Sequence, residues 1–186
     1  MMDKRYLYVF NKESDYKQII ALIDLDQRIR YYKNDTDILI VEADLDYTLS
    51  DFENFREFVL GELLVDFVGL FVPKNFDFSP DELKPVLGKI NYGIYDIANF
   101  ILEISINKLD GFKKKLKNHY YNLVGIENLN TALGFIENNF NASSTSKQLY
   151  LHRNTLNYRL DNFHQKTEID IKNFKMAMAL YLLFKR

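Results

Sequence analysis

Ser143 to Phe163 reads SSTSKQLYLHRNTLNYRLDNF, and this stretch decides how the last third of the 186-residue chain folds. Ser143 or Ser144 can cap a short helix over Thr145 to Tyr150. Leu151-His152 then marks a tight break, and a third helix is predicted from Arg153 to Lys166. At about 100° per residue, Leu156, Leu160 and Phe163 fall on one narrow stripe, which must be the buried side; Leu149 joins that core. The opposite side presents Asn154, Asn157, Tyr158, Asp161 and Gln165, with Arg153 and Arg159 on its flanks. Upstream, Leu129, Leu133, Ile136 and Phe140 recur at helical spacing, and Asn138 to Asn141 favours a turn. Downstream, Asn173 to Phe184 reads as another amphipathic helix. A short helix, a tight turn and a longer polar helix make the helix-turn-helix arrangement.

The outer face of the Arg153–Lys166 helix is short of aliphatics and rich in hydrogen-bonding groups. Asparagine and glutamine can read adenine in the major groove of DNA; arginine can read guanine or hold phosphate. An ordinary solvated helix face carries the same residue types, so that reading stays open on these residues alone. Charge separates along the chain. Residues 1–110 hold 12 Lys/Arg and 21 Asp/Glu, a net of −9, while residues 111–186 hold 12 and 5, a net of +7. A basic C-terminal part beside an acidic N-terminal part points to two functions, the basic one meeting a polyanion.

The run Leu149-Tyr150-Leu151-His152-Arg153-Asn154-Thr155-Leu156-Asn157-Tyr158-Arg159-Leu160 closely resembles the signature of the PucR/CdaR family of bacterial regulators. Leu129-x-Thr131-x-Leu133 is similar to that family's first helix, and Asn141 to Lys147 to its turn into the second. Thr167-Glu168-Ile169-Asp170 resembles its T-G-x-D turn, with glutamate where glycine is usual. Ser146 stands where alanine is usual, and Tyr150 where many helix-turn-helix proteins have glycine. The resemblance covers about 60 residues and reaches the end of the sequence. It implies a C-terminal DNA-binding domain in a transcriptional regulator that acts on double-stranded DNA; a single such domain buries little surface, so a homodimer is expected. Family members carry sensor and GGDEF-like regions ahead of this domain; residues 1–110 show no such signature.

On this reading Arg153, Asn154, Asn157 and Tyr158, in the first turns of the recognition helix, approach base edges. Ser144, Thr145, Lys147 and Arg159 are better placed for phosphate, which fixes register without carrying sequence information. His152 caps the helix or touches the DNA backbone.

The N-terminal part alternates strands and helices. Arg5 to Phe10 and the apolar run Asp37 to Ala43 are predicted strands, as is Val68 to Pro73, which proline stops. Ser14 to Asp24 and Leu49 to Phe67 are predicted helices, the second capped by Ser50 or Asp51. Ser79-Pro80-Asp81-Glu82 is a capping-box start. Beyond it Leu83, Leu87, Ile90, Ile94, Ile97, Ile101 and Ile104 are spaced 4-3-4-3-4-3, a heptad seam. The seam predicts one long helix, either a core helix or the dimer helix, with dimerisation preferred; Gly88 and Gly93 cost it about 1 kcal/mol each. Asp110-Gly111 ends it, and the basic run Lys113 to Lys117 that follows is a solvated face or touches phosphate. The expected fold is α+β: a mixed α/β sensor domain over residues 1–78, the long helix over 79–110, and an all-α helix-turn-helix domain over 111–186. The N-terminal domain is where a small-molecule or protein effector is expected.

The sequence contains no cysteine, which removes thiolate chemistry and cysteine-ligated metals. It has no signal-peptide segment at its N-terminus and no membrane-spanning run, so a soluble cytoplasmic chain is expected. His119, His152 and His164 show no metal spacing. The carboxylates Asp35, Asp37, Glu42, Asp44 and Asp46 could be imagined as a metal site, yet Asp44-Leu45-Asp46 is more simply a polar strand end. No phosphate loop or nucleophile elbow is present, so no enzyme, cofactor or metal is expected. The alternative is a protein–protein interaction or signalling module whose helix-turn-helix is vestigial.

Overall fold

The computed structural model describes residues 4–12, 16–33, 37–73 and 75–185. It divides into two compact units, residues 1–103 and 104–186. The fold is α+β.

The first unit is built on a five-stranded sheet in the order β2-β3-β1-β4-β5. β1 (Lys4–Phe10) lies between β3 (Ile38–Asp44) and β4 (Val68–Val72), antiparallel to both. β2 (Ile29–Lys33) pairs antiparallel with β3, and β5 (Gly93–Tyr95) pairs parallel with β4. The alternation of β1 splits its side chains between two covered faces. Leu7 and Val9 pack with Ile19 and Ile23 of α1 (Lys17–Ile23) and with Phe52 and Val59 of α2 (Leu49–Leu63). On the other face Tyr8 meets Phe76 edge-on, with ring centroids 6.3 Å apart. Gly69 of β4 has no room for more: a Cβ there would lie 2.5 Å from Ile94 Cδ1 and 2.7 Å from Phe52 Cε1. The cap of α2 is Thr48, whose hydroxyl accepts from the Asp51 backbone N–H at 3.2 Å, and not Ser50 or Asp51. Arg56 of α2 closes on Asp66 through two hydrogen bonds of 2.7 and 2.6 Å.

The seam over 79–110 is not one helix. The chain forms α3 (Pro80–Leu87), a turn, β5, α4 (Ile97–Ile106) and the start of α5 (Asp110–Val124). Ser79 does start α3 with the capping box, its N–H donating to Glu82 at 3.3 Å. Gly88 then ends the helix, and Gly93, at φ 156°, turns the chain into β5. Leu83, Leu87, Ile90, Ile97, Ile101 and Ile104 are all buried within the single chain, and Ile94 is half-buried. The seven-residue rhythm therefore records burial from three elements. Six of the seven seam side chains are thus buried inside the chain and do not form an exposed heptad seam.

The second unit is all helical: α5, α6 (Ile126–Glu137), α7 (Ala142–Gln148), α8 (Arg153–Thr167) and α9 (Phe174–Lys185). Its start precedes the expected boundary at Gly111, because residues from Ile104 belong to it. α5 holds the run Lys113 to Lys117 on an amphipathic helix: Phe112, Leu116 and Tyr120 are buried, while Lys114 and Lys115 are exposed. Gly125, at φ 79° and ψ 154°, joins α5 directly to α6 in a backbone region open essentially to glycine alone. The core gathers Leu116, Leu129, Leu133, Leu156, Phe163, Leu180 and Leu183 from four helices. Asn173 caps α9, its side chain accepting from Met176 N–H at 3.2 Å.

Candidate nucleic-acid interface

The turn between α7 and α8 is fixed by backbone hydrogen bonds. Asn141 caps α7, its side-chain oxygen accepting from Ser144 N–H at 3.0 Å, so neither Ser143 nor Ser144 is the cap. At the other end Tyr150 N–H donates to Lys147 O at 3.3 Å and Leu151 N–H to Ser146 O at 2.9 Å. That pair of bonds is the Schellman ending, in which the residue after the cap takes a left-handed conformation and is usually glycine. Here it is Tyr150, at φ 53°. Two residues on, His152 caps α8: its Nδ1 accepts from Asn154 N–H at 3.2 Å, which places the proton of the neutral ring on Nε2. Of the two roles expected for His152, the structure shows the cap.

α8 is sharply two-sided. Leu156 and Phe163 are fully buried, and Leu160 is half-buried. Leu149, ahead of the turn, is half-buried against Gly134, where an added Cβ would lie 3.2 Å from its Cδ1. Arg153, Asn154, Asn157 and Tyr158 are all exposed, Tyr158 by 68%. The four residues expected at base edges thus share the exposed surface of the first two turns of one helix. Asp161, Gln165 and Lys166 continue that surface.

The four residues expected at phosphate divide. Ser144 and Lys147 are exposed on α7. Thr145 is not available: it is 0% exposed, and its hydroxyl donates to Asn141 O at 2.8 Å. A hydroxyl satisfied inside the cap of its own helix cannot also reach a phosphate. Arg159 donates through Nη2 to Glu127 Oε2 at 2.5 Å, with its side chain 23% exposed, and so ties α8 to the first turn of α6. Glu127 was absent from the sequence-based site because nothing in the local pattern links residues 32 positions apart.

Both ends of the α7–α8 pair carry residues that local physics does not favour. The Ser146 hydroxyl is buried without a hydrogen-bond partner among the described residues. α8 ends on Glu168 at φ 58°, its N–H donating to His164 O at 2.8 Å. Beyond it, Thr167 Oγ1 accepts from Ile169 N–H at 3.1 Å, and the His164 Nδ1–H donates to Ile169 O at 3.0 Å, which binds the following loop to the helix. The three residues that depart from the usual pattern, Ser146, Tyr150 and Glu168, therefore sit where alanine or glycine would be less costly. Among the described residues no group of three or more His, Asp or Glu is placed to hold a metal ion, and no helix is long and apolar enough to cross a membrane.

Residues 129–185 match the family described as the PucR C-terminal helix-turn-helix domain. An uncharacterized protein of Bacillus subtilis, YxkF, is 51% identical over 49 residues, which are 26% of this chain and 16% of that protein. The DNA-binding transcriptional activator AdeR of the same organism is 32% identical over 125 residues, 62% of this chain and 28% of AdeR. The carbohydrate diacid regulator of Escherichia coli is 38% identical over 52 residues, 28% of this chain and 14% of that protein. In each case the matching stretch spans less than a third of the relative's length. The likeness to AdeR is longer than the second unit, so it reaches back into the first, where the sequence had suggested no relation. Helices α6 to α9, with the exposed face of α8 and the His152-capped turn before it, form a helix-turn-helix domain of the PucR type.

Proposed function

We propose that this chain is a sequence-specific, DNA-binding transcriptional regulator that works as a dimer in the cytoplasm. The observation that carries the reading is the exposed, hydrogen-bonding face of α8, where Arg153, Asn154, Asn157 and Tyr158 stand together above a fully buried Leu156. Arg153 suits guanine O6 and N7, and Asn154 and Asn157 suit adenine N6 and N7. Ser144 and Lys147, exposed on α7, are the phosphate contacts that set register. Arg159 could join them only by leaving Glu127, so its first role is to hold α8 in place.

A single domain of this kind covers few base pairs, and two copies would set their recognition helices about 34–36 Å apart on a palindromic site. The buried heptad side chains of 83–104 would not supply the dimer contact. The first unit is the place for an effector, small molecule or protein, and its share in the likeness to a transcriptional activator supports a regulatory role.

The test is a salt titration of binding to a duplex pool enriched for the protein's own upstream region. Wild type should bind specifically and lose affinity steeply as salt rises. Arg153→Ala/Asn157→Ala should retain weak, salt-dependent binding while losing sequence preference. A folded wild type that binds no duplex would put the interaction-module reading first.

A further inference from the structure

Tyr150 is the most exposed large hydrophobic side chain among the described residues of the second unit, at 96%, and it occupies a left-handed backbone position in the turn that leads into α8. Neither fact serves the stability of the domain. The side chain buries almost nothing, and glycine would take the same φ of 53° without a Cβ penalty. The position is nevertheless fixed closely. Tyr150 and Leu151 N–H groups are held by α7, and His152 immediately caps α8. A rigid turn therefore carries an aromatic ring with a terminal hydroxyl, three residues ahead of Arg153 and flanked on the α7 side by exposed Lys147. An exposed tyrosine of this kind suits a surface that is apolar along a sugar edge and accepts a hydrogen bond at its phosphate oxygens.

We infer that Tyr150 is a DNA-backbone contact, its hydroxyl donating to a phosphate oxygen beside the bases that α8 reads and its ring covering the adjoining sugar. The inference rests on the DNA-binding reading above. It assigns a positioning role: Tyr150 sets how deep and at what angle α8 enters the groove, and carries no base preference. The contact is neutral, which distinguishes it from Lys147. Removing it lowers affinity alike for specific and non-specific duplexes and releases no counterion, so the salt slope stays as in wild type.

The experiment uses the full chain and three substitutions, with duplex affinity measured across salt and thermal stability measured in parallel. Tyr150→Phe keeps the ring and loses the hydroxyl, and binding should weaken roughly 3- to 10-fold, the range of one lost hydrogen bond. Tyr150→Gly should weaken binding further while raising the melting temperature, because the left-handed strain is relieved. Lys147→Ala should instead reduce the salt slope by about one ion. A Tyr150→Phe protein that is folded and binds duplex as tightly as wild type would overturn the inference and leave the DNA-binding reading standing. Failure of the wild type to bind any duplex would overturn both.

Discussion

Two turns of the second unit both pass through a positive φ, one in a region open essentially to glycine and one in the left-handed region, and they use different residues. Between α5 and α6 the chain passes through φ 79° at Gly125, a conformation that a side chain could scarcely adopt. Between α7 and α8 it passes through φ 53° at Tyr150, and α8 ends at φ 58° on Glu168. The first turn uses the residue that local energetics favours. The second, with the Ser146 hydroxyl that has no partner among the described residues just before it, does not. The difference teaches that the α5–α6 junction is composed for stability, whereas the α7–α8 turn keeps an exposed side chain at a left-handed position, as Lys108 before α5 and Asn139 and Phe140 after α6 also do. Conflicts of that kind are expected where a surface serves something other than folding.

The contrast can be tested residue by residue. Gly125→Ala should have the largest effect, a loss of roughly 1–3 kcal/mol in chemical denaturation, because no relaxed conformer of alanine exists at that φ and ψ. A loss below a few tenths would show that the junction is not held as described. Substitutions in the α7–α8 pair should act in the opposite direction. Ser146→Ala removes a buried hydroxyl without a partner among the described residues and adds a better helix former, and should gain about 1–2 kcal/mol. Glu168→Gly, at the end of α8, should gain about 0.5–1 kcal/mol. Destabilisation by both replacements would erase the comparison between the two turns.

How far the sequence reveals this molecule depends on what bounds each periodic run. α6 to α9 were legible because breaks separate them, the turn-favouring Asn138 to Asn141 before α7 and Leu151-His152 before α8, although the cap of α7 is Asn141 and not Ser143 or Ser144. The buried stripe of α8 followed from spacing alone, and so did the exposed set Arg153, Asn154, Asn157 and Tyr158. The stretch from Leu83 to Ile104 misled because a heptad rhythm cannot tell one helix from a helix, a strand and a helix that each bury side chains within the chain. Gly88 and Gly93 were the signals of the break. β2, with the sequence IRYYK, lacks the apolar alternation that marks a strand, and its place comes from pairing with β3. Thr145 was assigned to the surface because a buried, internally bonded hydroxyl and an exposed one look alike in sequence. The Arg159–Glu127 pair joins residues too far apart along the chain for any local pattern to connect them.

The central claim is that the exposed face of α8 reads bases. It is tested most directly by determining the full base preference of the wild type and of Asn157→Ala from a randomised duplex pool at one fixed salt concentration. In Asn157→Ala preference should relax at one base pair of each half-site, at a cost of about 1–3 kcal/mol against the preferred duplex, while the salt slope and melting temperature stay unchanged. An unchanged preference at every position, in a folded Asn157→Ala protein that still binds duplex, would contradict it.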